Sequence, residues 1–136
     1  MAFKQFDEFI SIERGINDWS DDAVLIAESI MSDFVDCDWK ALIEVLGRRD
    51  AAWRKNLADC LASAERDESL ACLYLLLDTD DPGVFFAAAE SIQRFDALDP
   101  QRIDIEALKK RYASFRSAGS ADEADVVIFS ELLDKL

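Results

Sequence analysis

Histidine is absent from the 136 residues. That removes the side chain that most often serves as a general base near neutral pH and, with it, the commonest zinc ligand, so triad and zinc-finger arrangements are excluded. Phosphate cradles and nucleophile elbows are missing as well, since no GxGxxG, GxxxxGKS, GxxxxGKT or GxSxG occurs. The four glycines, Gly15, Gly47, Gly83 and Gly119, stand alone and read as turn residues. With only two prolines beside them, strand and turn punctuation is scarce. No uncharged apolar run reaches the roughly 18 residues that a membrane helix needs. The start, MAFKQFDEF, carries acids where a signal peptide has a basic end followed by an apolar run. A cytoplasmic address is therefore expected. The three cysteines, Cys37, Cys60 and Cys72, form no CxxC pair and are odd in number, which predicts reduced, shielded thiols rather than a disulfide or a metal site.

What is present favours helix. Hydrophobic residues make up 51% of the chain, and Ala, Leu, Ile, Glu, Asp and Lys are plentiful, so a single all-helical domain over 1–136 is expected. Apolar residues recur at helical spacing in four hairpins of similar length, Phe3 to Asp36, Asp38 to Arg66, Asp67 to Asp96 and Ile103 to Leu136. In the first, Phe6, Phe9 and Ile10 form one stripe, a turn is placed at Asn17 to Asp22, and Ala23, Ile26, Ala27, Ile30 and Phe34 form the second stripe. Trp39, Leu42, Ile43 and Leu46, then Trp53, Leu57 and Leu61, mark the second hairpin, with both tryptophans assigned to the core.

The third hairpin runs DESLACLYLLL, DTDDPG, VFFAAAESIQRF, with Asp80 or Asp81 as N-cap and Pro82 in the first helical turn. Its second stripe is Val84, Ala88, Ile92 and Phe95. The turn has aspartates at the first and third places of a calcium loop and glycine at the sixth. It has Pro82 at the fifth and Ala89 where a bidentate glutamate belongs, and so reads as a capped turn. The segment LLLDTDDPGVFFAAAESIQRFD resembles a HEAT-type repeat: a leucine-rich helix, an Asp-Pro turn, valine, a run of alanines, then an aliphatic residue. The resemblance covers Asp67 to Asp96 and departs at Phe85, where that family usually has arginine. It implies a short α-solenoid of about four hairpins, with second helices lining the concave side; an irregular helical bundle is the alternative.

Charge is the other strong feature. The chain has 15 basic and 29 acidic side chains, a net charge of −14. By blocks, residues 1–38 carry −8 and 67–100 carry −7, whereas 39–66 carry +2 and 101–136 carry −1. Such a field repels nucleic acid and anionic membrane and attracts basic proteins. On the second helix of hairpin one, Asp21, Asp22, Glu28, Asp33 and Asp36 lie away from the core stripe. On the second helix of hairpin three, Phe86, Glu90 and Gln93 share a face opposite Val84, Ala88 and Ile92. An exposed aromatic ringed by acids has the composition of an interface anchor. These eight residues form the expected partner-binding surface of a protein with no catalytic residue, cofactor or metal and monomeric when free.

Small size, missing chemistry, a repeat scaffold and acidity resemble, in type, bacterial immunity proteins that neutralise contact-dependent growth inhibition and related polymorphic toxins. The resemblance implies an inhibitor that covers the active site or substrate groove of a basic, nuclease-type toxin. The alternative is a HEAT-like adaptor with a second surface at Arg102, Lys109, Lys110, Arg111 and Arg116.

Overall fold

The structure is a computed structural model that describes residues 1–15 and 18–136. Among the described residues are α1 (Ala2–Ile10), α2 (Val24–Met31), α3 (Asp36–Leu46), α4 (Ala51–Ala64), α5 (Asp67–Leu77), α6 (Pro82–Ile92), α7 (Ile105–Ser117) and α8 (Glu123–Lys135). A π-helical segment, Trp19–Ala23, leads directly into α2, and a 3-10 turn, Pro100–Arg102, precedes α7. There is no strand among the described residues, so the chain is all-α as its periodicity predicts.

The turn placed at Asn17 to Asp22 needs correction. Asn17 lies outside the described residues, and Trp19 to Ala23 is helical. Burial explains the difference: the Trp19 ring sits in the core and its Nε1 donates to Asp59 Oδ2 of α4 at 2.9 Å. That bond ties the start of the second helix to a neighbour two helices away.

Acids start most of the helices. Orphan N–H groups at a helix start need acceptors, and Asp50, Asp81, Asp104 and Asp122 accept from Trp53, Val84, Ala107 and Asp125 backbone N–H groups at 2.8 to 3.0 Å. Of the two aspartates proposed to cap α6, Asp81 does so, and Pro82 follows at the first helical position. At the start of α3, the buried Asp38 carboxylate accepts from Val35 N at 2.9 Å and from Phe3 N at 3.0 Å, so one side chain caps α3 and anchors α1. Asp7 likewise takes Arg49 at 2.7 Å and Trp53 Nε1 at 2.9 Å, joining α1 to α4. These seven of the 29 acidic side chains, Asp59 included, thus serve as helix caps or as ties between elements.

Helix α4 packs against α2, α5 and α6, and α6 packs against α4, α5 and α8; α1 rests on α2, α3 and α4. The second helices therefore touch in chain order, α2 to α4 to α6 to α8. Ser91 Oγ donates to Ala58 O at 2.6 Å and ties α6 to α4. Two aromatic groups close the ends. Phe3, Phe6, Phe34 and Trp39 meet edge to face near the N-terminus, with centroids 5.2 to 6.4 Å apart. Phe85 packs on Phe86, Phe115 and Phe129 near the C-terminus, while Tyr112 stacks on Phe129 at 4.1 Å. The phenylalanine that stands where HEAT repeats usually have arginine is wholly buried and forms the centre of this second group.

Trp39 and Trp53 are in the core, as expected. Cys60 and Cys72 are buried, whereas Cys37 is exposed, so only two of the three thiols are shielded. Cys37 is the second residue of α3, and the stripe that buries Trp39, Leu42 and Leu46 leaves it on the solvent side.

Candidate partner-binding surface

Around α2 the packing is lopsided. Ala23, Ala27, Ile30, Met31 and Phe34 face α1 and α4 and are buried. At 100° per residue, the opposite side is centred on Leu25, with Ser32 and Asp21 on one flank and Ser29 and Asp22 on the other, and Asp33 and Ile26 follow at the edge of the buried arc. Leu25 is 62% exposed and Ile26 49%. Assigning Ile26 to the core stripe was therefore incorrect: α2 has neighbours on one side only, too few to cover the full width of its apolar arc. Asp22 stands one turn before Ile26, Asp21 one turn before Leu25, and Asp33 one turn after Ser29. No hydrogen bond or ion pair engages the carboxylates of Asp21, Asp22 or Asp33 among the described residues, and all three residues are exposed.

Glu28 belongs to the α4 side of the same helix and is half-buried. The Cys60 thiol pKa is pushed well above its ordinary value, first by burial and then by the charges of Glu28 and Asp59, which places these two carboxylates near one sulfur. The Cys72 thiol is pushed up to about 12, again chiefly by burial and secondarily by Glu68. Asp36 is fully exposed at the start of α3, 3.7 Å from Arg66, a weak solvated pair.

The residues expected on α6 separate. Glu90 is exposed. Phe86 is not an accessible anchor: it is only 5% exposed, with its ring against Phe85, Tyr112 and Phe115. The reason is that α6 is enclosed by α4, α5 and α8, so that every residue from Val84 to Ala89 is buried. Gln93 is half-buried, and its Nε2 donates to Ala89 O at 3.0 Å and to Ile128 O at 2.8 Å, which makes it a tie between α6 and α8. Of the eight expected residues, Asp21, Asp22 and Asp33 share one exposed helix face, Glu28 and Asp36 flank it, Glu90 lies apart, and Phe86 and Gln93 are structural.

Two residues went unseen in the sequence, one on this surface and one away from it. Leu25 falls outside the core stripe at helical spacing and could have been found by asking which apolar residue the stripe leaves over. Asp59 pairs with Lys55 at 3.7 Å and, with Glu90 and Asp125, borders a shallow hollow of about 270 Å³ between α4, α6 and α8. Only position in space brings those three acids together.

Elsewhere, a groove of about 420 Å³ between α5 and α7 has Leu75, Ile103 and Leu108 on its floor. Arg111 is held by Asp78, Asp80 and Thr79 O, and Arg102 lies 4.8 Å over the Tyr74 ring, so two of the five residues of the supposed second basic surface are engaged within the fold. No three His, Cys, Asp or Glu side chains converge as metal ligands among the described residues. Nor is any helix there long and apolar enough to cross a membrane. No protein family, curated protein or solved structure matches the chain.

Proposed function

We propose that the protein is an acidic inhibitor of a basic partner, an immunity protein that covers the active site or substrate groove of a nuclease-type toxin in the same cytoplasm and performs no chemistry itself. The observation that carries this reading is the outer face of α2, where Leu25 and Ile26 are exposed between the unpaired Asp21, Asp22 and Asp33. Ion-paired or capping acids would signify only solubility and helix starts. Unpaired acids around exposed aliphatic side chains supply both halves of a protein interface, an apolar centre and a charged rim. Acids so placed steer a cationic surface into contact and imitate the phosphates that it would otherwise bind.

We further propose that the four helix pairs are a short HEAT-like solenoid. The consecutive contact of α2, α4, α6 and α8, together with the α1 to α2 and α5 to α6 pairings, supports that arrangement. In it, α2 is the terminal member of the second-helix row, which accounts for its uncovered side.

The test is a growth assay on cells producing the polypeptide encoded immediately upstream of this chain's gene, with and without the chain. Rescue of growth, together with a salt-sensitive complex between the two purified proteins, is the expected result. Unrelieved toxicity, or a harmless upstream product that nevertheless binds, would remove the inhibitor reading.

A further inference from the structure

Helices in the second-helix row normally have a neighbour on each side: α4 lies between α2 and α6, and α6 between α4 and α8. α2 has α4 on one side and open solvent on its outer face. That face is built like the flank of a packed helix. Leu25 and Ile26 form a short ridge of consecutive residues, about 100° wide around the helix, and the small Ser29, one turn on, lies beside both. Asp21, Asp22 and Asp33 bracket the ridge at both ends.

Resting on the reading of the chain as an acidic inhibitor, we infer that its partner docks through an amphipathic basic helix laid alongside α2, which extends the row by one member. The apolar side of that helix covers Leu25 and Ile26, and its lysines or arginines meet Asp21, Asp22 and Asp33.

Charge decides among the possible occupants. A second copy of this chain would bring the same three aspartates against themselves, between molecules of net charge −14. An anionic lipid surface or a nucleic acid meets the same repulsion. The other exposed aliphatic residue on a terminal helix of the row, Val127 of α8, is also flanked by acids, Glu123 and Glu131, but its neighbours Val126 and Ile128 are partly buried, so it offers one exposed aliphatic side chain where α2 offers two. A basic helix is the occupant that satisfies both the apolar ridge and its rim.

The probe is a synthetic peptide of roughly 18 residues with leucines at i, i+3, i+4 and i+7 and lysines elsewhere. Two controls accompany it: the same composition scrambled so that no apolar stripe forms, and an oligolysine of equal length. Each is titrated into the isotope-labelled chain at about 0.15 M salt while backbone amide shifts are followed.

The amphipathic peptide is expected to shift amides of residues 21–33 and to bind about tenfold more tightly than either control. Leu25→Ser with Ile26→Ser should remove about that factor without altering the melting temperature, and Val127→Ser should change neither. Shifts centred elsewhere overturn the inference. So does equal binding of oligolysine with shifts spread over every acidic face, because charge alone would then suffice; in both cases the broader reading of an acidic protein with a basic partner would stand. Absence of binding by any basic peptide overturns the inference when the upstream product still binds, and overturns both readings when it does not. Concentration-dependent dimers dissolved by Leu25→Ser would assign the face to a second copy instead.

Discussion

Helices α2 and α6 carry the same local pattern, an apolar arc at helical spacing with acidic residues beside it, and meet opposite fates. In α6 the arc and its flanks vanish into the core, Phe86 included; in α2 part of the arc itself, Leu25 and Ile26, stays in solvent. The difference lies in neighbours, since α6 is enclosed by three helices and α2 is covered from one side. Periodicity tells which residues share a face of a helix, but how many faces become buried is set by the helix's place in the assembly. An aromatic side chain on the far side of an enclosed helix is core, and an aliphatic one on the far side of a terminal helix is surface.

The largest effect that could break this comparison is Phe86→Ala. Removing a buried ring from among Phe85, Tyr112 and Phe115 should lower unfolding free energy by about 3 to 5 kcal/mol, read from urea denaturation. A loss below about 1 kcal/mol, of the size that exposed positions give, would return Phe86 to the surface.

Asp38→Ala should be the next most costly change. It leaves the Phe3 and Val35 backbone N–H groups without their acceptor, at a cost of about 1 to 3 kcal/mol. The loss should appear as faster amide exchange at the beginnings of α1 and α3; uniform loss across all helices would contradict this local role.

The architecture was legible in the sequence to the extent that it depends on local rules. The hairpin boundaries at Arg66 to Asp67 and Asp96 to Ile103 fall between helices, and the Asp81-Pro82 start of α6 forms as its residues dictate, whereas Asp36 to Asp38, placed as a boundary, is the first turn of α3. Where tertiary contact decides, legibility ended. Trp19 sits in a stretch that reads as a turn, yet it is helical and buried, with its Nε1 bonded to Asp59, 40 positions away in the chain. Ile26 satisfies the core stripe and yet has nothing to pack on. On the candidate surface, the acids of α2 were identifiable because their face is local to one helix. The convergence of Asp59, Glu90 and Asp125 was not, because it is made by three helices.

Thiol chemistry sharpens the comparison between surface and core at smaller cost. At pH 8, Cys37 should react with a thiol reagent within seconds to minutes, whereas Cys60 and Cys72 react only after unfolding. Their thiol pKa values are raised in the folded state, so the neutral thiols contribute stability that is full below the unfolded value of about 8.5 and declines as pH rises toward the folded values, about 12 for Cys72. Replacing both by alanine should flatten that alkaline decline. Rapid native labelling of three thiols would contradict the packing of α4 and α5.

The smallest effect on stability should come from the proposed docking face. Asp22→Lys with Asp33→Lys, and separately Glu90→Lys, should leave unfolding free energy within about 0.5 kcal/mol of the parent, because all three side chains are exposed and unpaired.

The most direct measurement is the association rate of these two variants with the purified upstream gene product, taken at several salt concentrations. The α2 double reversal should slow association at least about tenfold at low salt, with the difference from the parent shrinking as salt rises, while Glu90→Lys changes it by less than about threefold. Equal slowing by both would make the acidity a diffuse field rather than a docking face on α2, and unchanged association for the double reversal would contradict the account outright.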